Sequence, residues 1–311
     1  MKIVALAGGV GGAKLVDGFA QILSPENLTI IVNTGDDFEH LGLFISPDLD
    51  TVCYTLAHLS NQKTGWGRRD ETFHALENIR RLGGPDWFHL GDRDLATHLE
   101  RTRRMQSGEP LSQITRAFCH SWDVHQLVLP MCDQPVRTMV DTVDNGQLAF
   151  QEYFVHRKCD PKVKGFQYTG IDKAIPSPGV LEAILHADTI VICPSNPWVS
   201  IDPILAVAGI RSALALKMVI AVSPIISGVT FRGPAAKMYT EMGIQPSSLA
   251  VANHYGKILS GFVLDHADKN LVPSIPVYTR VTNILMKDHN GRQYLAQDVL
   301  NLIETLRNTF S

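Results

Sequence analysis

The sequence has 311 residues, of which 45% are hydrophobic and 19% charged, which is ordinary for a soluble globular protein. The formal net charge of −3 argues against general binding to nucleic acids or to acidic membranes, and no apolar stretch is long enough to span a bilayer. The five cysteines are scattered and the N-terminus carries no signal-peptide pattern, so we expect reduced thiols and a cytoplasmic protein.

The chain starts with a predicted strand, a glycine-rich loop and a helix. Residues 2–7 form a short apolar run typical of a buried strand, and a glycine cluster follows over residues 8–12. From Ala13 onward, apolar residues recur at helical spacing until Ser24 and Pro25. This order begins a Rossmann-type unit, in which the free N–H groups at the helix start favour a phosphate.

The glycine loop differs from the common nucleotide-binding fingerprints. Lys14 stands where a dinucleotide motif would place its third glycine. A Walker A motif is also absent, because Ala13 precedes the lysine and Leu15 follows it. A tight turn without a ligand is one interpretation, but a lysine in the first turn favours phosphate, which lysine binds as a point charge.

A second predicted strand, residues 28–32, leads into an acidic region. It ends at Asn33, and four aspartates follow at short intervals: Asp36, Asp37, Asp48 and Asp50. Carboxylates beside a phosphate-binding loop suggest Mg²⁺, which combines a few carboxylate oxygens with waters and substrate phosphates. Any one of these aspartates could instead be a turn or cap residue, and Asp50 is well placed as the N-cap of a helix from Thr51.

The strand–helix alternation stops in the middle of the chain. Helical patterns cover residues 51–59, 71–82, 94–105 and 111–121, and short strand-like runs follow near residues 126–129, 136–140 and 148–155. Alternation resumes with strands near residues 189–193, 218–222, 249–252, 261–264 and 277, and a last helix over 295–307. We therefore predict an α/β fold: a Rossmann-like core of residues 1–51 and 176–311, whose mostly parallel sheet has helices on both faces, and an inserted, mainly helical subdomain with a small sheet over residues 52–175.

Three polar segments follow strands of this predicted sheet. They are the glycine loop, residues 33–37, and the pair Ser195 and Asn196. Ligands of open α/β sheets bind beyond the carboxyl ends of the strands, so we expect these segments to meet at one site.

Residues 87–94 form a second unusual stretch, with His89 at its centre. His89 could contact a substrate or be an ordinary interior histidine. Trp66 and Trp87 offer flat surfaces for a ring system, although tryptophan is more often a core residue. Most of a group of five arginines are expected to form a solvated helix face: Arg68, Arg69, Arg101, Arg103 and Arg104.

Taken together, several stretches resemble one family, the 2-phospho-L-lactate transferases of coenzyme F-420 biosynthesis. The resemblance rests on residues 8–15, 32–37, 46–51, 87–98, 193–197 and 251–256, which occur in the expected order over nearly the whole chain. The glycine loop is shared with a wider group that includes the gluconeogenesis-factor proteins, whereas residues 87–98 are much more specific.

The resemblance implies a Mg²⁺-dependent transfer of a 2-phospholactyl or enolpyruvyl phosphate group. The donor would be a guanosine diphosphate ester, lactyl-2-diphospho-5′-guanosine or its enolpyruvyl relative, and the acceptor the ribityl hydroxyl of the deazaflavin Fo. The products would be coenzyme F-420-0 and GMP. The implied partners are therefore small molecules, with no nucleic acid or membrane, and the family suggests a homodimer.

The resemblance also implies a set of site residues. Those for the nucleotide diphosphate are Gly9, Gly11, Gly12, Lys14, Asn33, Ser195 and Asn196. Asp37 and Asp50 are the candidate catalytic residues and metal ligands, with Asp36 as a further metal ligand. Asp50 could instead contact the Fo hydroxyl and take its proton, and His89 would contact Fo.

Two other classes of function stay open on the sequence. One is a non-catalytic nucleotide-sugar-binding regulator of the gluconeogenesis-factor type, which residues 87–98 disfavour. The other is a nicotinamide oxidoreductase, which the missing third glycine and Asn33 in place of an acid disfavour.

Overall fold

The structure, a computed structural model, describes residues 1–310. Its strands are β1 (Ile3–Ala7), β2 (Leu28–Val32), β3 (Phe38–His40), β4 (Leu43–Ile45), β5 (Leu127–Pro130), β6 (Arg137–Thr142), β7 (Gln147–Ala149), β8 (Val163–Thr169), β9 (Thr189–Ile192), β10 (Met218–Val222), β11 (Ile225–Ile226), β12 (Val229–Thr230), β13 (Gly261–Asp265) and β14 (Tyr278–Thr282). Its α-helices are α1 (Gly9–Ala20), α2 (Pro47–Leu56), α3 (His74–Arg81), α4 (Asp92–Gln106), α5 (Leu111–Ser121), α6 (Val180–His186), α7 (Asp202–Ala206), α8 (Ile210–Leu214), α9 (Ala235–Glu241), α10 (Ser248–Tyr255) and α11 (His289–Phe310).

Seven parallel strands form the central sheet, in the order β14-β13-β10-β9-β1-β2-β5. Alternate residues of a strand point to opposite faces, and β1 shows this directly. Ile3 and Ala5 belong to the core beneath α1, α2, α5 and α11, whereas Val4 and Leu6 belong to the core beneath α6, α7, α8 and α10. The predicted α/β class, with helices on both faces of a parallel sheet, is confirmed.

The predicted insertion contributes one strand to this central sheet. Strand β5 lies within residues 52–175 and pairs in parallel with β2, with Thr29 opposite Leu127. The other strands of that region form a separate antiparallel sheet in the order β7-β6-β8. The division into core and insertion stays a prediction, and β5 ties the two parts together at the sheet edge.

Two local expectations are wrong. Residues 249–252 lie in helix α10 and not in a strand, and the helix is capped by the Ser247 hydroxyl, which accepts the Ala250 N–H at 3.0 Å. A short apolar run fits a buried helix as well as a buried strand, which explains the error. Asp50 is not an N-cap, because α2 begins at Pro47 and places Asp50 inside the helix.

Close packing joins the start of α1 to the loop after β9. A Cβ atom on Gly11 would lie 2.3 Å from the Pro194 carbonyl oxygen, so a larger residue would force this backbone apart. Gly9, the first residue of α1, has a φ of +61°, which glycine adopts without strain. Across residues 1–310, no helix combines the length and apolar character that crossing a lipid bilayer requires.

Candidate functional site

A cavity of about 620 Å³ opens at the carboxyl ends of β1, β2, β9 and β10. This volume is in the usual range for small-molecule sites. The three polar segments expected to meet all contribute lining residues: Gly8, Gly9, Gly11 and Lys14 from the first, Asp36 from the second, and Ser195 and Asn196 from the third. Asp48 and Asp50 of α2 line the same cavity.

The glycine loop is held by side chains from two other elements. The Ser195 hydroxyl donates to the Gly8 carbonyl at 2.7 Å and accepts the Gly8 N–H at 3.2 Å. The Gly9 N–H donates to Asp48 Oδ1 at 2.8 Å. Ser195 therefore braces the loop, and the first N–H groups of α1 are directed towards the cavity end of the helix.

Lys14 lies one turn into α1 and lines the cavity. Its ammonium group donates to the Met286 carbonyl at 2.8 Å, which fixes its position. Burial, together with repulsion from Arg292 and Arg232, lowers the pKa of Lys14. An anion placed here would relieve this repulsion.

Asn33 and Asn196 use their side-chain amides within the protein. Asn33 donates to Asp48 Oδ2 at 2.9 Å and accepts the Gly35 N–H at 2.8 Å. Asn196 accepts the Trp198 N–H at 3.1 Å and lines the cavity. In the structure, Asn33 therefore orients the acidic region beneath the glycine loop.

Asp36 and Asp37 are buried carboxylates, each with an oxygen left without a partner among residues 1–310. Burial raises the pKa of both well above the ordinary value, and the charge of Asp48 raises that of Asp36 further. Asp36 lines the cavity, whereas Asp37 is not among the lining residues and accepts the Ser46 hydroxyl at 2.9 Å. Unpartnered, buried carboxylate oxygens fit a hard cation such as Mg²⁺, which prefers oxygen ligands.

Asp48 links the glycine loop to the acidic region. Burial raises its pKa to about 6, although the hydrogen bonds from Asn33 and the Gly9 N–H stabilise the carboxylate and oppose this. Its two oxygens are both used, one by each of these donors.

Asp50 is fixed by a buried ion pair with Arg101 of α4. Arg101 Nη1 donates to Asp50 Oδ2 at 3.0 Å and Nη2 donates to Asp50 Oδ1, so the contact is bidentate. Although burial disfavours a charged guanidinium, Asp50 raises the pKa of Arg101 above its ordinary value. Arg101 is therefore an exception to the solvated helix face expected for most of the five arginines, since its side chain is only 3% exposed.

Further buried groups on α2 and α4 extend this pair into a network. His98 Nδ1 lies 3.2 Å from Arg101 Nη1, and His98 Nε2 lies 3.4 Å from Asp94 Oδ1. The Tyr54 hydroxyl donates to Asp94 Oδ1 at 2.7 Å. The signal in the sequence was the spacing of Asp94, His98 and Arg101, which places all three on one face of α4.

Within residues 1–310, Asp50, Asp94 and His98 also form a possible metal-binding group, with ligand atoms within 4.8 Å of one another. Arg101 already engages both oxygens of Asp50, and Tyr54 occupies one oxygen of Asp94. The group therefore functions in this structure as a hydrogen-bonded network that orients Asp50.

Aromatic side chains form a wall of the cavity, and among them Trp66 and the stretch that contains Phe88 are already distinctive in the sequence. Phe88 and Trp66 line it with ring centroids 5.9 Å apart, and Phe154 lines it next to Phe150, on which it stacks at 5.3 Å. His89 is exposed and does not line the cavity, so its contact with an acceptor stays a prediction.

Comparisons with known proteins identify the family. The sequence profile of the family described as 2-phospho-L-lactate transferase CofD matches residues 3–294. A phosphoenolpyruvate transferase of Streptomyces coelicolor is 42% identical over 317 aligned residues, covering 99% of both chains. The enzyme of the same name from Thermobifida fusca is 43% identical over 320 aligned residues, again covering 99% of both.

A solved structure is similar over the same extent. The crystal structure of a member of the UPF0052 family from Bacillus halodurans superposes with a TM-score of 0.65 at 18% identity, covering 96% of this chain and 98% of that one. At this identity the similarity concerns the fold.

Proposed function

The chain belongs to the 2-phospho-L-lactate transferase CofD family of coenzyme F-420 biosynthesis. From this premise we propose that it transfers a phospholactyl or phosphoenolpyruvyl group from a guanosine diphosphate ester to the deazaflavin Fo. The donor is the enolpyruvyl or lactyl ester of GDP, and the products are the phosphodiester, coenzyme F-420-0 or its dehydro form, and GMP. The names of the relatives, which are 42% and 43% identical, favour the enolpyruvyl donor. The observation that carries the proposal is the meeting of glycine loop, buried acids and aromatic wall in one cavity.

The diphosphate binds at the start of α1. The Gly9 N–H donates to Asp48, but the next N–H groups at the start of this helix lack partners within the helix, and the helix dipole favours a negative charge there. Lys14 adds a full positive charge one turn further on. This arrangement holds the two phosphates and leaves the phosphorus that carries the lactyl or enolpyruvyl group open to attack by the Fo hydroxyl.

Asp36 and Asp37, which each keep an unpartnered buried oxygen, would hold the metal. A bound Mg²⁺ would supply charge neutralisation on the diphosphate. Asp50, whose oxygens accept hydrogen bonds from Arg101, then contacts the acceptor substrate Fo. It accepts the hydrogen bond of the Fo hydroxyl and takes its proton while the new P–O bond forms and the bond to the GMP oxygen breaks.

The flat acceptor ring lies against the aromatic wall. Phe88, Phe154 and Trp66 contribute apolar surface to the cavity. Such a surface suits a deazaflavin, whose polar ribityl chain would reach towards Asp50.

Ligand-induced stabilisation separates this function from the alternatives. We expect GDP and Fo, in the presence of Mg²⁺, to raise Tm, because a ligand at 100 times its Kd stabilises the folded state by about 2.7 kcal/mol. A rise in Tm with a UDP-sugar alone would favour a nucleotide-sugar regulator. A rise with NAD alone would favour an oxidoreductase.

Replacing Lys14 tests the diphosphate site. We expect Lys14→Ala to weaken GDP binding about 10- to 100-fold, because a charge-assisted hydrogen bond contributes about 1.5–3 kcal/mol. Calorimetric titration measures this. Lys217→Ala is the matched control, since Lys217 also donates to carbonyl oxygens, those of Leu185 and Ala187, but lies outside the cavity. Equal GDP affinities in wild type and Lys14→Ala would remove Lys14 from the site.

Replacing the proposed metal ligands tests the metal assignment. We expect Asp36→Asn to raise the Mg²⁺ concentration for half-maximal turnover about 10- to 100-fold, because one charged ligand is lost. The affinity for Fo in the absence of nucleotide should change less than about two-fold, because Asp36 is proposed to act on the donor diphosphate through the metal and not on Fo. Asp37→Asn should show the same pattern. Normal Mg²⁺ dependence in both variants would show that other residues hold the metal.

A further inference from the structure

Two loops meet at the exposed rim of the cavity. The first, residues 60–68, is closed at its base by the bridge between Ser60 and Arg68, and its Trp66 lines the cavity. The second, residues 231–234, follows the β11–β12 hairpin and carries Arg232. Arg232 joins the loops, since its Nη1 donates to the Thr64 carbonyl and its Nη2 to the Lys63 carbonyl at 3.2 Å.

Positive charge is scarce on the cavity wall. Among the described residues, four aspartates line it, whereas the lining lysine and arginine residues are Lys14 and Arg232. Arg101 is not among the lining residues, and it donates two hydrogen bonds to the Asp50 carboxylate, which lines the cavity. Arg292 is buried and donates to Asp17 at 3.0 Å and to Gln62 at 2.6 Å.

Arg232 has donor capacity left over. A guanidinium carries five N–H donors, and the two carbonyls use two of them. Among residues 1–310 no further hydrogen-bond partner of this side chain is found. The remaining three N–H groups include an edge that can bind a carboxylate through two parallel hydrogen bonds.

The proposed donor brings two separate negative groups to the cavity. Its diphosphate is esterified to C2 of a three-carbon acid, and the carboxylate is bonded to that same carbon. If α1 and Lys14 hold the diphosphate, the carboxylate lies only a few bonds away and needs its own cation. Lys14 and Arg232 line the same cavity, and the positive charge of Arg232 lowers the pKa of Lys14.

We propose that Arg232 recognises the carboxylate of the transferred group, an inference that rests on the proposed function. The free edge of its guanidinium binds the carboxylate while the other N–H groups keep their hold on the Lys63 and Thr64 carbonyls. Through these contacts Arg232 connects the bound donor to residues 60–68, which include Trp66. The site then selects phosphate esters of 2-hydroxy and 2-enol carboxylic acids over esters without a carboxylate.

Calorimetry with three ligands tests this assignment in the presence of Mg²⁺ and without Fo. The ligands are lactyl-2-diphospho-5′-guanosine, its carboxamide analogue and GDP. We expect Arg232→Gln to weaken binding of the carboxylate ligand about 10- to 100-fold more than it weakens binding of the other two. Arg232→Lys should recover part of the loss, because it restores the charge without the bidentate edge.

Arg69→Gln is the matched control. Arg69 directly follows the first loop, and its exposed side chain reaches Asp70 at 3.9 Å without lining the cavity. Equal weakening of all three ligands by Arg232→Gln would overturn the proposal, since it would indicate a role in the diphosphate site or in the loop alone. Unchanged affinity for all three would overturn it as well. Failure of the wild type to bind any of them would instead contradict the proposed function.

Discussion

Asp50→Asn is expected to lower the turnover of Fo about 10²- to 10⁴-fold, the usual contribution of a general base. The amide keeps the shape of the side chain but cannot take the proton of the acceptor hydroxyl. It also turns one of the two acceptors of Arg101 into a donor. Steady-state rates with saturating donor measure the loss in kcat, and calorimetry with GDP checks that the donor site is intact.

The control for this variant is Asp86→Asn. Asp86 is exposed, pairs with Arg80 at 2.7 Å and does not line the cavity, so its amide should leave turnover unchanged. A kcat of Asp50→Asn within about ten-fold of wild type would contradict the role of Asp50, because it would leave less than the smallest usual contribution of a general base.

Arg101→Met is expected to lower the free energy of unfolding by about 3–5 kcal/mol. Removing the guanidinium leaves the Asp50 carboxylate buried and unpaired, and it also removes a neighbour of His98. Urea unfolding measures the change through the transition midpoint. The double variant Asp50→Asn with Arg101→Met should lose less unfolding free energy than the sum of the losses in the two single variants. In the double variant no buried carboxylate is left unpaired at position 50.

Arg103→Met is the matched control for Arg101→Met. Arg103 lies on the same helix, but its side chain is 66% exposed and pairs with Glu100 at 2.8 Å. Exposed pairs of this kind contribute less than about 1 kcal/mol, so little stability should be lost. If Arg101→Met lost no more stability than Arg103→Met, the buried pair would contribute no more to stability than the exposed one.

The sheet and the meeting of its polar segments could be predicted because both follow from short-range patterns. The apolar runs that form β1 and β2 are followed at once by glycine or by Asn33, and parallel strands bring these ends to one edge. The glycine loop and Asp36 therefore reached the same cavity as expected. Here the sequence order itself determines the position.

The partners of these residues could not be predicted, because they come from distant elements. Arg101 lies 51 positions beyond Asp50, and in the sequence it stands two positions before Arg103, which is exposed. Its burial depends on how α4 packs on α2, which no local pattern reports. Arg232 is the more distant case, since it reaches Thr64 across 168 positions from a loop without periodicity.

The type of short apolar segments and the pairing of short edge strands were also difficult to predict from the sequence. Residues 249–252 fit either type of element, and the Ser247 cap decided for a helix. Strand β5 has four residues and joins the sheet only through its pairing with β2. Such choices are made by tertiary contacts rather than by propensity.

The most direct test of the proposed reaction is a mass analysis of its products. Purified protein is incubated with Fo, Mg²⁺ and either lactyl-2-diphospho-5′-guanosine or its enolpyruvyl counterpart. We predict that Fo gains the mass of the phospholactyl or phosphoenolpyruvyl unit, with one GMP released for each Fo consumed and a higher rate with the enolpyruvyl donor. Unchanged Fo with both donors, in protein that binds GDP and Fo, would contradict the account.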